Sequence, residues 1–126
     1  MKILLATTAA LEAGTGLGLL AAPSALARLL LGAPLDVPAA LAVARVAGAA
    51  LLALGVACWL ASSDTQSCAA RGVVSAMMIY NLGAVIVLGA AGIQSQPAGI
   101  ALWPAVILHA AMTAWCVLSL LSKPAQ

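Results

Sequence analysis

Four long apolar runs, separated by short polar or proline-rich segments, constrain this chain more than any other feature. A membrane hydrocarbon core about 30 Å thick needs roughly 20 apolar residues for each helical crossing. The chain has 126 residues, of which 65% are hydrophobic and only 6% charged, so four crossings with short connections use nearly its whole length. The sequence predicts an all-α fold, an antiparallel bundle of four transmembrane helices in one membrane domain.

The four predicted spans are separated by a long first connection and two shorter turns. The connection at 23–37 carries three prolines and lies at the membrane interface. It is either an irregular turn or a short helix that Ser24 caps and Gly32 ends, with its leucines in the lipid. Gln94 to Gly99, through Ser95, Gln96 and Pro97, forms the last turn. The spans are predicted at residues 3–22, 38–61, 71–93 and 100–121.

The N-terminal segment also has features of a secretory signal. Lys2 gives a positive start and Ala25-Leu26-Ala27 fits a small-x-small cleavage site. Glu12 interrupts the apolar region, however, and the apolar run is long for a signal. We therefore expect the first span to remain in the protein.

The distribution of basic residues predicts the orientation. Lys2, Arg71 and Lys123 fall on the side shared by both termini and the second loop, whereas the opposite side carries only Arg28. Because Lys and Arg concentrate on the cytoplasmic side of membrane proteins, both termini are predicted to be cytoplasmic. The expected location is a bacterial inner membrane, with the protein crossing it several times.

Every span carries a strongly polar residue near mid-membrane. At 1.5 Å per residue, Glu12, Asn81 and His109 lie near the midplane, and the long side chain of Arg45 reaches a similar depth. A charged group at the bilayer centre costs roughly 2.5 to 3.5 kcal/mol, so these side chains should point inward. We predict a Glu12–Arg45 ion pair, supplemented by Tyr80, Asn81 and His109.

This polar layer has two interpretations. It can simply specify which helices pack together, as in an accessory or assembly subunit that binds other membrane proteins or copies of itself. Alternatively, it forms a site in a small transporter or a ligand-binding protein. Glu12 or His109 would then handle protons or ions, or Arg45 and His109 would bind an anionic lipid or a quinone-like head group.

Small residues predict close helix packing. Gly14 and Gly18 form a GxxxG motif in the first span, with Gly16 between them, and Ala44 and Gly48 form a small-xxx-small pair beside Arg45. The first and second spans are therefore expected to touch backbone to backbone.

The chain also has features of two repeated helical hairpins. Aligning Glu12 with Asn81 brings Arg45 roughly opposite His109, as in transporters built from repeats. Low-complexity apolar sequence makes such matches easy, so unrelated hairpins remain an alternative.

Several classes of function are disfavoured by the sequence. A net charge of +2, spread over scattered side chains, does not form a nucleic-acid surface. No GxSxG, HExxH or phosphate-binding loop is present, so an enzyme acting alone is not expected. Cys58, Cys68 and Cys116 lack metal-ligand spacing and are expected to be free structural thiols. We predict no metal site and no cofactor. We also predict that a lipid bilayer surrounds the protein.

The size, the four spans and the glutamate in the first span resemble the bacterial DoxX-like small membrane proteins. The resemblance covers the whole chain as architecture, without residue-by-residue motifs. Since some relatives are similar to subunits of quinone-linked oxidoreductases, it implies an accessory role. It assigns no site residue.

Overall fold

The computed structural model describes residues 1–94 and 98–122, which form five helices. The fold is all-α, as predicted, and the ends of the four long helices lie within three residues of their predicted positions. The predicted turn through Ser95–Pro97 and the predicted basic residue Lys123 lie outside the described residues. The helices are α1 Lys2–Ala21, α2 Pro23–Leu31, α3 Pro38–Ala61, α4 Cys68–Gln94 and α5 Leu102–Leu121.

Helices α1, α3, α4 and α5 are each long and apolar enough to cross a membrane. Many of their large apolar side chains are exposed on the outside of the bundle, including Val43, Ile86 and Ile107. Such a surface is unsuited to water and suited to lipid. These features indicate a multi-pass membrane protein.

The connection after α1 contains a short helix, so the helical alternative for this segment is confirmed. Proline is tolerated in the first turn of a helix, and α2 begins at Pro23 and ends at Gly32, whose φ of 79° is left-handed. The predicted capping by Ser24 is wrong, because Ser24 lies inside the helix. Its hydroxyl instead accepts a hydrogen bond from the backbone N–H of Leu35, at 3.1 Å.

Helices α1 and α3 pack backbone to backbone at three glycines. A Cβ added at Gly16 would lie 2.6 Å from the carbonyl oxygen of Gly48, and one added at Gly55 would lie 3.0 Å from the backbone of Ala13. Gly48 was predicted to lie in this contact, but Gly14 has open space around it. The contact therefore uses Gly16, which lies on a different face of the helix from Gly14.

Helices α4 and α5 form a second closely packed pair. Near the start of α4, the guanidinium of Arg71 donates a hydrogen bond from Nη2 to the backbone carbonyl of Leu120 in the last turn of α5, at 3.1 Å. This bond satisfies one of the carbonyls that a helix end leaves without an intrahelical donor. It ties the two helices together at the end of the bundle that carries the N-terminus.

The two helix pairs meet tightly only in that half of the bundle. The buried core there includes Leu4, Leu5, Cys58, Met77 and Cys116, one or two from each long helix. The other half, towards α2, is more open. This asymmetry places empty space next to the polar residues near the middle of the long helices.

Candidate functional site

Four polar side chains meet where the packed half of the bundle gives way to the open half. Glu12 comes from α1, Tyr80 and Asn81 from α4, and His109 from α5. Glu12 is 6% exposed and Asn81 only 1%, so both are removed from the surroundings of the bundle. We refer to these four residues as the polar cluster.

Close contacts connect the members of the polar cluster in two groups. The Tyr80 hydroxyl of α4 lies beside the Glu12 carboxyl group of α1. His109 Nδ1 lies 2.7 Å from Asn81 Oδ1, and the Asn81 amide donates from Nδ2 to the carbonyl of Met77 at 2.7 Å. The Tyr80 and His109 rings touch edge to face, with centroids 5.7 Å apart, so the two groups adjoin.

Arg45 does not join the polar cluster, and the predicted ion pair with Glu12 is wrong. The glycine contacts set α1 and α3 in a register that places Glu12 level with the Leu54–Gly55 turn of α3. Arg45 lies about 13 Å further along α3 at 1.5 Å per residue, opposite the end of α1. Its side chain is exposed there and can extend towards the membrane surface.

An internal cavity of about 220 Å³ opens beside the polar cluster. All four cluster residues line it, and Thr15 adds a hydroxyl. The rest of its lining is mainly leucine: Leu11, Leu26, Leu29, Leu30, Leu88 and Leu108. We call this space the central cavity. An apolar pocket with a few convergent polar groups is the usual form of a small-molecule site.

Helix α2 supplies one wall of the central cavity, which the sequence did not predict. Leu26, Leu29 and Leu30 were expected to dip into lipid, and all three border the cavity, although Leu29 is also half exposed on the outside of the bundle. The only signal in the sequence was their spacing on one side of a short helix, which does not say what that side faces. A contact with the start of α5 holds α2 in place, since Ala101 donates its backbone N–H to the Leu29 carbonyl at 3.0 Å.

That contact depends on a close approach at Gly99. A Cβ added there would overlap the backbone of Leu29 and Leu30. A glycine is needed at this position because no side chain fits between the loop and α2. The position of the α2 wall is therefore fixed by the segment that leads into α5.

A second, more open crevice lies on the other side of the same residues, between α1, α3 and α4. Tyr80 and His109 border both spaces, as do Thr15, Leu30 and Leu88. The polar cluster is thus reached from two sides between the helix pairs. A lipophilic molecule can approach it from the membrane without crossing a polar surface.

The cysteines do not contribute to this site. Cys58 and Cys116 are buried in the core, Cys68 is exposed, and all three are free thiols. Among residues 1–94 and 98–122, no three His, Cys, Asp or Glu side chains are grouped so that they could hold a metal ion.

No protein-family model, curated protein or solved structure matches this chain. The resemblance to DoxX-like proteins therefore stays a prediction. Any function has to be argued from the polar cluster and the cavity beside it.

Proposed function

We propose that this protein binds a small lipophilic molecule from the membrane, with the polar head of the ligand against the polar cluster. The observation that carries this proposal is the central cavity, which joins a leucine-rich wall to Glu12, Tyr80, Asn81 and His109. A polar layer needed only for helix packing would be filled by its own contacts, because empty space beside buried polar groups loses packing energy. The open half of the bundle favours a ligand over the packing interpretation.

The site is proposed to lie in a bacterial inner membrane, with both termini in the cytoplasm. Arg71, at the start of α4, and Lys2 support this orientation by the positive-inside rule. Helix α2 would then lie at the periplasmic side. The ligand would reach the cavity from the outer half of the bilayer.

A variant that fills the cavity tests the proposal. Ala105 lines the central cavity, so Ala105→Leu should occupy the space while adding apolar contacts. Ala111 is an exposed alanine on the same helix, and Ala111→Leu is the matched control. The probe is 4-butylphenol, a ring with one hydroxyl and a short tail, added to protein in lipid nanodiscs.

Binding to the folded state raises the unfolding temperature with ligand concentration. The wild type and Ala111→Leu should show this rise, and Ala105→Leu should lose it. An equal rise in all three proteins would show that the probe acts through the lipid or elsewhere, and the proposal would be wrong.

A second function, an accessory subunit, is supported by a groove on the outer face of α1 and α3. The groove is lined mainly by small side chains, among them Ala6, Ala10 and Ala13, with Trp59 at its edge. Grooves of this kind let a transmembrane helix of another protein approach closely. We propose such a helix as the occupant.

Cross-linking in membranes tests the second function. Ala10→Leu should fill the groove and abolish a cross-linked complex, whereas Ala53→Leu, at an exposed position of α3 outside the groove, should not. A complex that survives Ala10→Leu argues against this surface. A cross-linked product of twice the protein's mass would assign the groove to self-association instead.

A further inference from the structure

The hydrogen bonds of Asn81 fix the position of the proton on His109. The Asn81 Nδ2 group donates to the Met77 carbonyl, so the amide turns its oxygen, Oδ1, towards α5. An amide oxygen only accepts hydrogen bonds. His109 Nδ1, 2.7 Å away, must therefore carry the hydrogen.

A neutral imidazole protonated at Nδ1 has a free lone pair at Nε2. An imidazolium would place a positive charge near mid-membrane, where charge is costly. Within the described part of the chain, every fully buried side-chain nitrogen or oxygen has a hydrogen-bond partner. No described residue bonds to Nε2, so this atom is open, and its ring lines the central cavity.

The other cluster residues also present acceptors. The Tyr80 hydroxyl lies beside the Glu12 carboxyl group, and both groups carry oxygen lone pairs. Thr15 has a hydroxyl that can turn either way. Arg45 lies away from the cavity, and the residues that line the cavity include no Lys or Arg.

We infer that the ligand is an uncharged lipophilic molecule whose head donates a hydrogen bond, such as a ring-bound hydroxyl, to His109 Nε2. This inference rests on the proposed ligand-binding function and narrows the class of ligand. A head group with only carbonyl or ether oxygens could not bond to His109 Nε2, which has a lone pair and no hydrogen. An anionic head group would find no Lys or Arg among the residues that line the cavity.

The size of the cavity sets the size of the head group. An apolar cavity of about 150 Å³ is large enough to bind benzene, and the central cavity measures about 220 Å³. One six-membered ring with a short substituent fits this space. A longer tail would pass between the leucines of α2 and the membrane.

A matched pair of probes tests the inference in nanodiscs. 4-Butylphenol has the donor, and its methyl ether, 4-butylanisole, has nearly the same shape without the donor. We expect the phenol to bind roughly five-fold more tightly, the ratio that one net hydrogen bond typically contributes. His109→Phe keeps an aromatic ring but removes Nε2, and should reduce the ratio to about one.

Equal binding of the two probes to the wild type would overturn the inference while leaving the ligand-binding function intact. Binding of neither probe would instead count against the function itself. Tighter binding of the ether would also overturn the inference, because a donor in the cavity would then contribute more than His109 Nε2. The two proposals therefore fail in different ways.

A second measurement uses the wild-type protein, so it does not depend on whether a variant folds. The chain has one histidine, so labelling histidine with ¹⁵N gives the two ring nitrogens of His109 alone in an NMR spectrum. We expect a protonated Nδ1 and an unprotonated Nε2 without ligand, and a shift of the Nε2 signal when the phenol binds. A proton on Nε2 in the ligand-free protein would overturn the inference.

Discussion

Asn81 and His109 join helices α4 and α5 through a hydrogen bond of 2.7 Å between Oδ1 and Nδ1. Asn81 is almost completely buried, whereas His109 is half-buried and borders open space on two sides. The bond thus connects the packed interior of the helix pair to the cavity. It orients the imidazole in the ligand-free protein, and such preorganisation would lower the entropic cost of binding the proposed ligand.

This bond should show energetic coupling in a double-mutant cycle. Asn81→Leu leaves the His109 Nδ1 donor without its partner, and we expect the free energy of unfolding to fall by about 1 to 3 kcal/mol. With His109→Phe already present, Asn81→Leu should cost less, because no donor is left unpaired. The measurement is reversible unfolding in detergent, and purely additive effects would contradict the coupling.

The glycine contact between α1 and α3 should respond strongly to a single methyl group. Gly16→Ala would place its Cβ 2.6 Å from the Gly48 carbonyl oxygen, and overpacking of this kind typically costs about 1 to 3 kcal/mol. Gly14→Ala is the control, since nothing lies within 4 Å of its added Cβ. It should leave stability unchanged or raise it slightly through helix propensity. Equal stability of the two variants would contradict the observed register.

Arg71 and Arg45 are expected to differ in importance. Arg71→Gln removes the hydrogen bond to the Leu120 carbonyl and should lower the free energy of unfolding by about 1 kcal/mol. Arg45→Gln changes an exposed side chain outside the polar cluster, and should change stability by less than about 0.5 kcal/mol. It should also leave phenol binding unchanged. A large loss of binding in Arg45→Gln would restore the ion pair predicted from the sequence.

The thiols provide a test of folding and of orientation. A maleimide should label Cys68 alone in the folded protein, because Cys58 and Cys116 are buried, and should label all three after denaturation.

In intact cells, a membrane-impermeant maleimide should reach Cys68 only after permeabilisation if the termini are cytoplasmic. In a Cys68→Ser background, Ala33→Cys, at an exposed position after α2, should be labelled without permeabilisation. The reverse pattern would invert the proposed orientation.

The number, length and order of the spans followed from the sequence because hydropathy and helix length are local properties. The common level of Glu12, Asn81 and His109 along the bundle followed for the same reason, since the rise per residue converts position in a run into distance along the helix axis. Pro38 also marked the start of its helix correctly.

The rotation of each helix and its register against its neighbour could not be read in this way. In a chain rich in Ala and Gly, several faces of one helix offer similar close approaches, so Gly14 and Gly16 could not be separated by spacing. The choice of Gly16 against Gly48 sets α1 relative to α3. That register places Arg45 opposite the end of α1 and away from Glu12.

By itself, the sequence determined that the chain is a multi-pass helical membrane protein with a polar residue near the middle of three of its long helices. Only the tertiary structure decided that Glu12, Tyr80, Asn81 and His109 meet. It also decided that α2 folds back and forms one wall of the cavity beside them. The physical reason is that burial in lipid is imposed on each span separately. Contacts between spans depend on where backbones can approach one another, and that is a property of the packed helices together.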